Sequence, residues 1–158
     1  MPFKNDLVAL IDESHRGKTF GQLAASPPGI LAGLTHAQGA RLMQALDVTT
    51  IEELAQSRYV LWAQSITHLS KYERVDGFNP SLAAILDGQW EKKSLRELVR
   101  AKPSIFTGLS AKEAAMLEEA AGIRTVEDLA TNRYILMAQV ITHLSRYERG
   151  DGSEKKAA

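Results

Sequence analysis

Apolar residues recur along the chain at helical spacing, and no segment shows the alternation with period two that is typical of a β-strand. The spacing predicts an all-α fold in which each half of the chain contains five to six helices and ends on a long one. The predicted ranges are about 5–13, 19–25, 36–46, 50–56 and 58–74 in the first half, and 80–88, 94–101, 111–121, 125–131 and 133–149 in the second.

The pattern of the first half returns after 75 residues without a gap. Residues 4–77 and 79–152 share 31 identities in 74 aligned pairs, and 15 of them fall in the 20 pairs that align 58–77 with 133–152. Chance does not give such a match, so we predict a tandem duplication. The expected modules are residues 1–78 and 79–158, with a polar tail from about 153, related by a pseudo-twofold or pseudo-translational operation.

Helix starts are marked at matching places in both modules. A hydroxyl residue followed three positions later by Gln, Glu or Asp can form a capping box, which satisfies the first free N–H groups of a helix. Ser57 and Asn132, just before the long helices, are also good N-cap residues. The predicted boxes are Thr19/Gln22, Thr35/Gln38, Thr50/Glu53, Ser94/Glu97, Ser110/Glu113 and Thr125/Asp128.

Composition narrows the function classes. Hydrophobic residues make up 44% of the chain and charged residues 24%, and Lys plus Arg equals Asp plus Glu at 19 each. A net charge of zero gives no long-range attraction to nucleic acid or to an anionic membrane. There is no cysteine, the first six residues carry charge where a secretory signal needs apolar residues, and no apolar run is long enough for a bilayer. We therefore expect a cytoplasmic protein without membrane contact.

A short segment of each module resembles a known motif. The turn Gly108-Leu109-Ser110 lies between two predicted helices and is followed by Ala111-Lys112. This order resembles the helix-hairpin-helix family, whose turn is Gly-apolar-Gly and is often followed by x-Lys-x-Ala. The order of short helices before one long helix is also similar to the sterile alpha motif (SAM)-like architecture. The helix-hairpin-helix resemblance covers roughly 30 residues per module. It implies binding to the DNA backbone through free N–H groups of the turn, with Lys112 nearby.

Both modules depart from that motif at the position where phosphate would approach. Ser110 and Thr35 replace the second glycine, and the first module has no lysine after its turn. Acidic residues surround the turn of the second module. We therefore do not expect nucleic acid as the partner and keep a weak DNA-backbone binder as one alternative.

The two long helices carry the candidate site. Steps of 100° per residue place one apolar stripe on the predicted core face. A second row follows another side of the helix, and all its residue types are present in both modules. Because substitutions on an ordinary solvent face cost little, retention of the row indicates a shared constraint. The predicted core stripe is Tyr59, Trp62, Ala63, Ile66, Leu69 and Ser70 with Tyr134, Met137, Ala138, Ile141, Leu144 and Ser145. The row is Leu61, Gln64, His68 and Tyr72 with Leu136, Gln139, His143 and Tyr147, accompanied by Arg58 and Arg133.

Three interpretations of the row are open. It can be a contact between modules with hydrogen-bonded polar ends, or a face for a protein partner or self-association in which Tyr and Arg are anchors. It can also be a ligand site in which His68 and His143 hold a metal or a haem iron between them. Haem is the alternative cofactor, and otherwise we expect none.

No catalytic signature accompanies these residues. The chain has no nucleophile elbow, no Gly-x-Gly-x-x-Gly turn and no Walker-type loop. The acidic residues 52, 53, 127 and 128 lie at helix N-termini, where they stabilise the helix dipole. We therefore predict a non-enzymatic interaction or scaffold protein, with the bis-histidine haem or metal binder and the weak DNA binder as alternatives.

The balanced charge and the altered turns predict weak DNA binding. Duplex DNA should bind no better than weakly at physiological salt, because few cations are available to replace the counterions of the phosphates. A gel shift measures this directly. Sub-micromolar, salt-sensitive binding that is lost on Lys112→Glu would contradict the prediction.

Overall fold

The computed structural model describes residues 11–73 and 80–148, and these residues are mostly helical. They contain no β-strand, although isolated bridges join Ile11 to Leu31 and Leu86 to Phe106. The all-α prediction is therefore confirmed. In the first half (residues 11–73) the α-helices are α1 (Phe20–Ala24), α2 (His36–Leu46), α3 (Ile51–Ala55) and α4 (Arg58–Ser70).

The second half (residues 80–148) has the same order of elements. Short 3-10 helices precede the first α-helix in each half and follow it. Helices α2 and α6 have 11 residues each, and α4 and α8 have 13 each. The α-helices of the second half are α5 (Leu95–Arg100), α6 (Ala111–Ala121), α7 (Val126–Thr131) and α8 (Arg133–Ser145).

Three predicted ranges are wrong. The expected helix 80–88 is a 3-10 helix over Pro80–Ile85, after which Leu86 leaves to form its bridge. The long helices end at Ser70 and Ser145, four residues earlier than predicted, and Glu73 and Glu148 in the segments that follow accept hydrogen bonds from the other half. Most of the predicted helix 5–13 lies outside the described residues.

Five of the six predicted capping boxes are present. In the sixth, Thr50 caps the Glu53 N–H, but the Glu53 carboxylate accepts from the N–H and hydroxyl of Thr49 at 2.7 and 2.6 Å instead. These hydrogen bonds lower the pKa of Glu53. Asn132 caps α8 as predicted, whereas the Ser57 hydroxyl makes no cap and is buried without a partner.

Each long helix packs mainly against the half of the chain to which it does not belong. We call this arrangement the exchange of the long helices. Helix α4 contacts α5 and α7, whereas α8 contacts α1 and α3. Helices α2 and α6 also pack on each other, with an Arg41–Glu119 ion pair at their exposed edge. One hydrophobic core therefore contains residues from both halves. The predicted module boundary near residue 78 stays a prediction, since the contacts of both long helices cross it.

Aromatic side chains fix the start of each exchanged helix. Trp62 of α4 packs at 5.7 Å, between ring centroids, on Phe106, which is fully buried. The Tyr59 hydroxyl lies over Gly108, and the Tyr134 hydroxyl lies over Gly33. Both glycines have φ near +97°, a left-handed conformation that side chains rarely adopt. The hairpin turns are thus covered by the other half's long helix.

A glutamate fixes the other end of each exchanged helix. The Glu148 carboxylate accepts from the N–H groups of Phe20 and Gly21 at 2.7 and 3.0 Å, at the N-terminus of α1. Glu73 does the same for Leu95 and Arg96 at the N-terminus of α5. Each carboxylate satisfies N–H groups that a helix start leaves free, and it favours the positive end of the helix dipole.

The covered turns predict a large effect of a small substitution. Gly108→Ala should lower the free energy of unfolding by about 1–3 kcal/mol, since alanine is strained at this φ and its Cβ would lie 2.7 Å from the Tyr59 hydroxyl oxygen. Urea unfolding measures it, with Gly88→Ala as the control because nothing lies within 4 Å of a Cβ there. Adding Tyr59→Phe should restore part of the loss. A loss equal to that of the control would contradict the packing described.

Candidate binding surface on the long helices

The buried side of each long helix differs from the predicted core stripe. In α4 the buried residues are Val60, Ala63, Ile66 and Thr67, a stripe rotated by about 60° from the predicted one at 100° per residue. Leu69 was assigned to the core face, but it is 47% exposed. Leu144 was assigned there too and is 36% exposed. The buried stripe differs because it includes Thr67 and Thr142, which a polarity pattern places outside.

The glutamines of the predicted row join the two long helices. Gln64 and Gln139 donate to each other's side-chain oxygen at 2.8 and 2.9 Å. Each amide also donates to a backbone carbonyl of the other half, Gln64 to Ala130 at 3.2 Å and Gln139 to Ala55 at 3.3 Å. Both amides are half-buried. This part of the row is a contact between the halves.

The remaining residues of the row face solvent. His68 and His143 are exposed, and each packs edge-on against the tyrosine in the turn that follows its helix, with ring centroids 5.4 and 5.3 Å apart. Tyr72 is 69% exposed and Tyr147 is 72% exposed. The row is therefore divided, with glutamine at the contact between helices and His and Tyr available to a partner.

Large exposed apolar side chains are concentrated on the same helices. Within the part of the chain that the structure describes, every large hydrophobic residue classed as exposed lies on α4, on α8 or in the turn that follows each. Their spacing of three, four and eight residues places them along one side of each helix. We call them the exposed strips: Leu61, Leu69 and Tyr72 on α4, and Leu136, Val140, Leu144 and Tyr147 on α8.

The two arginines of the predicted site lie at the helix starts. The Arg133 guanidinium lies 5.1 Å from the centre of the Tyr134 ring, a cation–π contact that orients it along its own helix. Arg58 is exposed and borders a surface depression with Asp47 and Tyr59. Each arginine lies three residues before a leucine of the exposed strips, Arg58 before Leu61 and Arg133 before Leu136, and is therefore its neighbour on the same side of the helix.

The hairpin turns offer few free N–H groups. The Thr35 N–H donates to Gln38 Oε1 at 2.9 Å, and the Gln38 N–H donates to the Thr35 hydroxyl at 3.1 Å. Ser110 and Glu113 make the same pair of bonds. With tyrosine hydroxyls over the glycines, a phosphate has little access to either turn. These contacts support the expectation of weak DNA binding, which stays a prediction.

A haem or metal site remains untested by this geometry. Among residues 11–73 and 80–148, no group of three His, Asp or Glu side chains is placed to hold a metal ion. A bis-histidine haem needs two imidazole nitrogens about 4 Å apart across one iron. In the structure each imidazole contacts the neighbouring tyrosine, His68 with Tyr72 and His143 with Tyr147. Haemin titration of the protein and of the single variants His68→Ala and His143→Ala would test whether the two histidines bind haem.

Comparisons with known proteins assign no family. No protein-family model matches the chain, and neither the curated proteins nor the solved structures searched contain a significant match. The resemblance to helix-hairpin-helix and SAM-like proteins therefore stays a short-motif prediction. Across the described residues, no helix is both long and apolar enough to cross a lipid bilayer.

The bonded glutamines predict a coupled effect on stability. Gln64→Leu or Gln139→Leu alone should cost about 1–3 kcal/mol, because the remaining half-buried amide loses its partner. The double variant should cost less than the sum of the two single losses. Urea unfolding measures the cycle, with Gln44→Leu as an exposed control. Additive losses of the size seen for that control would show that the amides do not hold the helices together.

Proposed function

We propose that the chain is a non-enzymatic interaction module that binds a protein partner, or another copy of itself, through the exposed strips of the two long helices. The observation that carries this proposal is the location of the exposed apolar side chains. Folded proteins expose single apolar residues everywhere, but a contiguous group with aromatic members is typical of an interface. A cytoplasmic site of action agrees with the absence of cysteine.

The residue types of the strips support a binding role. Tyr72 and Tyr147 present large rings at 69% and 72% exposure, and tyrosine is enriched at the energetic centres of interfaces. A leucine one turn before each tyrosine extends the apolar surface. Both are present in each half although neither is needed for the core, which indicates a constraint from outside the fold.

Duplication gives a physical reason for two strips. We propose that the two halves arose from one module, and that each strip repeats one binding surface. Two linked surfaces bind a partner with two sites far more tightly than one surface does, because the second contact is intramolecular. A scaffold that joins two copies of one partner is the simplest use of this arrangement.

Site-specific photocrosslinking in the cell of origin tests the proposal. A benzoylphenylalanine residue replaces Leu69 or Leu144 in the full chain, and Ala40, which is exposed on α2, is the matched control. We expect a discrete covalent adduct from the strip positions and none from the control. The same adduct should disappear from the Leu144 position when Tyr147→Ser removes the neighbouring ring, while the melting temperature stays unchanged.

Two results would contradict the proposal. One is the absence of an adduct from Leu69, Leu144 and a further position, Leu61, under conditions in which the photoreactive residue is shown to react. The other is an adduct of equal yield from Ala40, since the protein would then be captured without regard to the strips.

A further inference from the structure

A groove beside the second strip combines an apolar wall with polar donors. It has a volume of about 360 Å³ and lies where the start of α4 meets α8. Leu61 contributes exposed apolar surface from one half, and Arg146 and His143 contribute polar groups from the other. The lining residues are Ala55, Gln56, Leu61, Gln139, Thr142, His143 and Arg146.

The interior wall of the groove is held in one conformation. The Gln139 amide donates to Ala55 O and to Gln64 Oε1, and its oxygen accepts from Gln64. A side chain with three such bonds cannot turn without losing them. The groove is therefore present before any ligand binds, which lowers the entropic cost of binding.

Three polar side chains at the groove, those of Arg146, His143 and Thr142, have no hydrogen-bond partner among the described residues. Within the described residues, the Arg146 guanidinium and the His143 ring nitrogens make no hydrogen bond or ion pair. The Thr142 side chain is 3% exposed and its hydroxyl is buried without a partner. Thr142 and Arg146 are four residues apart on one side of α8.

The charge of the groove selects an anionic ligand. None of the seven lining residues is acidic, and Arg146 is permanently cationic. Glu148, two residues beyond Arg146, is engaged by the N–H groups of α1 and does not neutralise it. Arg146, which has no acceptor among residues 11–73 and 80–148, and the exposed Leu61 together complement a carboxylate that is attached to an apolar group.

We propose that this groove binds a segment of a partner protein in which an Asp or Glu carboxylate lies beside an apolar side chain. The proposal rests on the proposed function and names the chemistry that is recognised beside the strip on α8, where Leu61 of the strip on α4 meets His143 and Arg146. Arg146 takes the carboxylate, and Leu61 takes the apolar group. The 75-residue shift aligns Arg146 with Lys71, His143 with His68 and Leu61 with Leu136, and the Thr67 hydroxyl is likewise buried without a partner.

Hexanoate, a carboxylate on a short apolar chain, is a suitable probe for this chemistry. The full-length chain, labelled with ¹⁵N, is titrated with sodium hexanoate and followed by backbone amide resonances. Hexanamide tests the need for charge, and acetate tests the need for the apolar chain, each at matched ionic strength. The variant Arg146→Gln is compared with Arg100→Gln, an exposed arginine of α5.

We expect saturable shifts at Leu61, Thr142 and His143 with hexanoate, and much weaker binding of hexanamide and acetate. Arg146→Gln should weaken hexanoate binding about tenfold through loss of a charge-assisted contact, whereas Arg100→Gln should have no effect. Equal binding of hexanamide, equal binding of acetate, or no saturable shift at the groove would each overturn the proposal. None of these results would affect photocrosslinks formed from the exposed strips. The proposal that the groove binds a carboxylate can therefore fail while the proposed binding role of the strips is supported.

Discussion

The exchange of the long helices is the constraint on which the rest of the structure depends. Helix α4 buries its apolar side against α5 and α7, and α8 buries its own against α1 and α3. Neither half can therefore complete its core without the other, which agrees with the marginal stability expected of a domain of this size. Aromatic rings hold the start of each exchanged helix, and Glu73 and Glu148 hold the turn that follows its end.

The exchange also determines which residues remain available for binding. Each long helix is covered by the other half on one side and joined to its counterpart through Gln64 and Gln139 on a second side. The third side carries the exposed strips and the groove beside Leu61. Because all three sides belong to one helix, a substitution that rotates the helix would disturb the core and the proposed surface together. This coupling agrees with the high density of identities in this part of the chain, where 15 of the 20 pairs that align 58–77 with 133–152 are identical.

Local features of the structure could be predicted, whereas the exchange could not. The bounds of α2 and α6 and five capping boxes follow from residues close in sequence, whose hydrogen bonds do not depend on distant contacts. The halves are similar enough that each long helix meets an equivalent surface in either half, so the sequence pattern does not say which one it covers. Leu69 was predicted on the buried side for another reason: the side that is buried includes the polar Thr67, which a polarity pattern places outside. The retained row was found from the sequence, but its division between the bonded glutamines and the exposed His and Tyr depends on the exchanged packing.

Nuclear Overhauser contacts of the two N-terminal tyrosines test the exchange most directly. In the folded, monomeric chain, the ring protons of Tyr59 should show contacts to the α-protons of Gly108, and those of Tyr134 should show contacts to Gly33. These pairs are more than 45 residues apart in sequence, and they are specific to the exchanged arrangement. Contacts of Tyr59 to Gly33 and of Tyr134 to Gly108 would contradict it, because each long helix would then cover its own half.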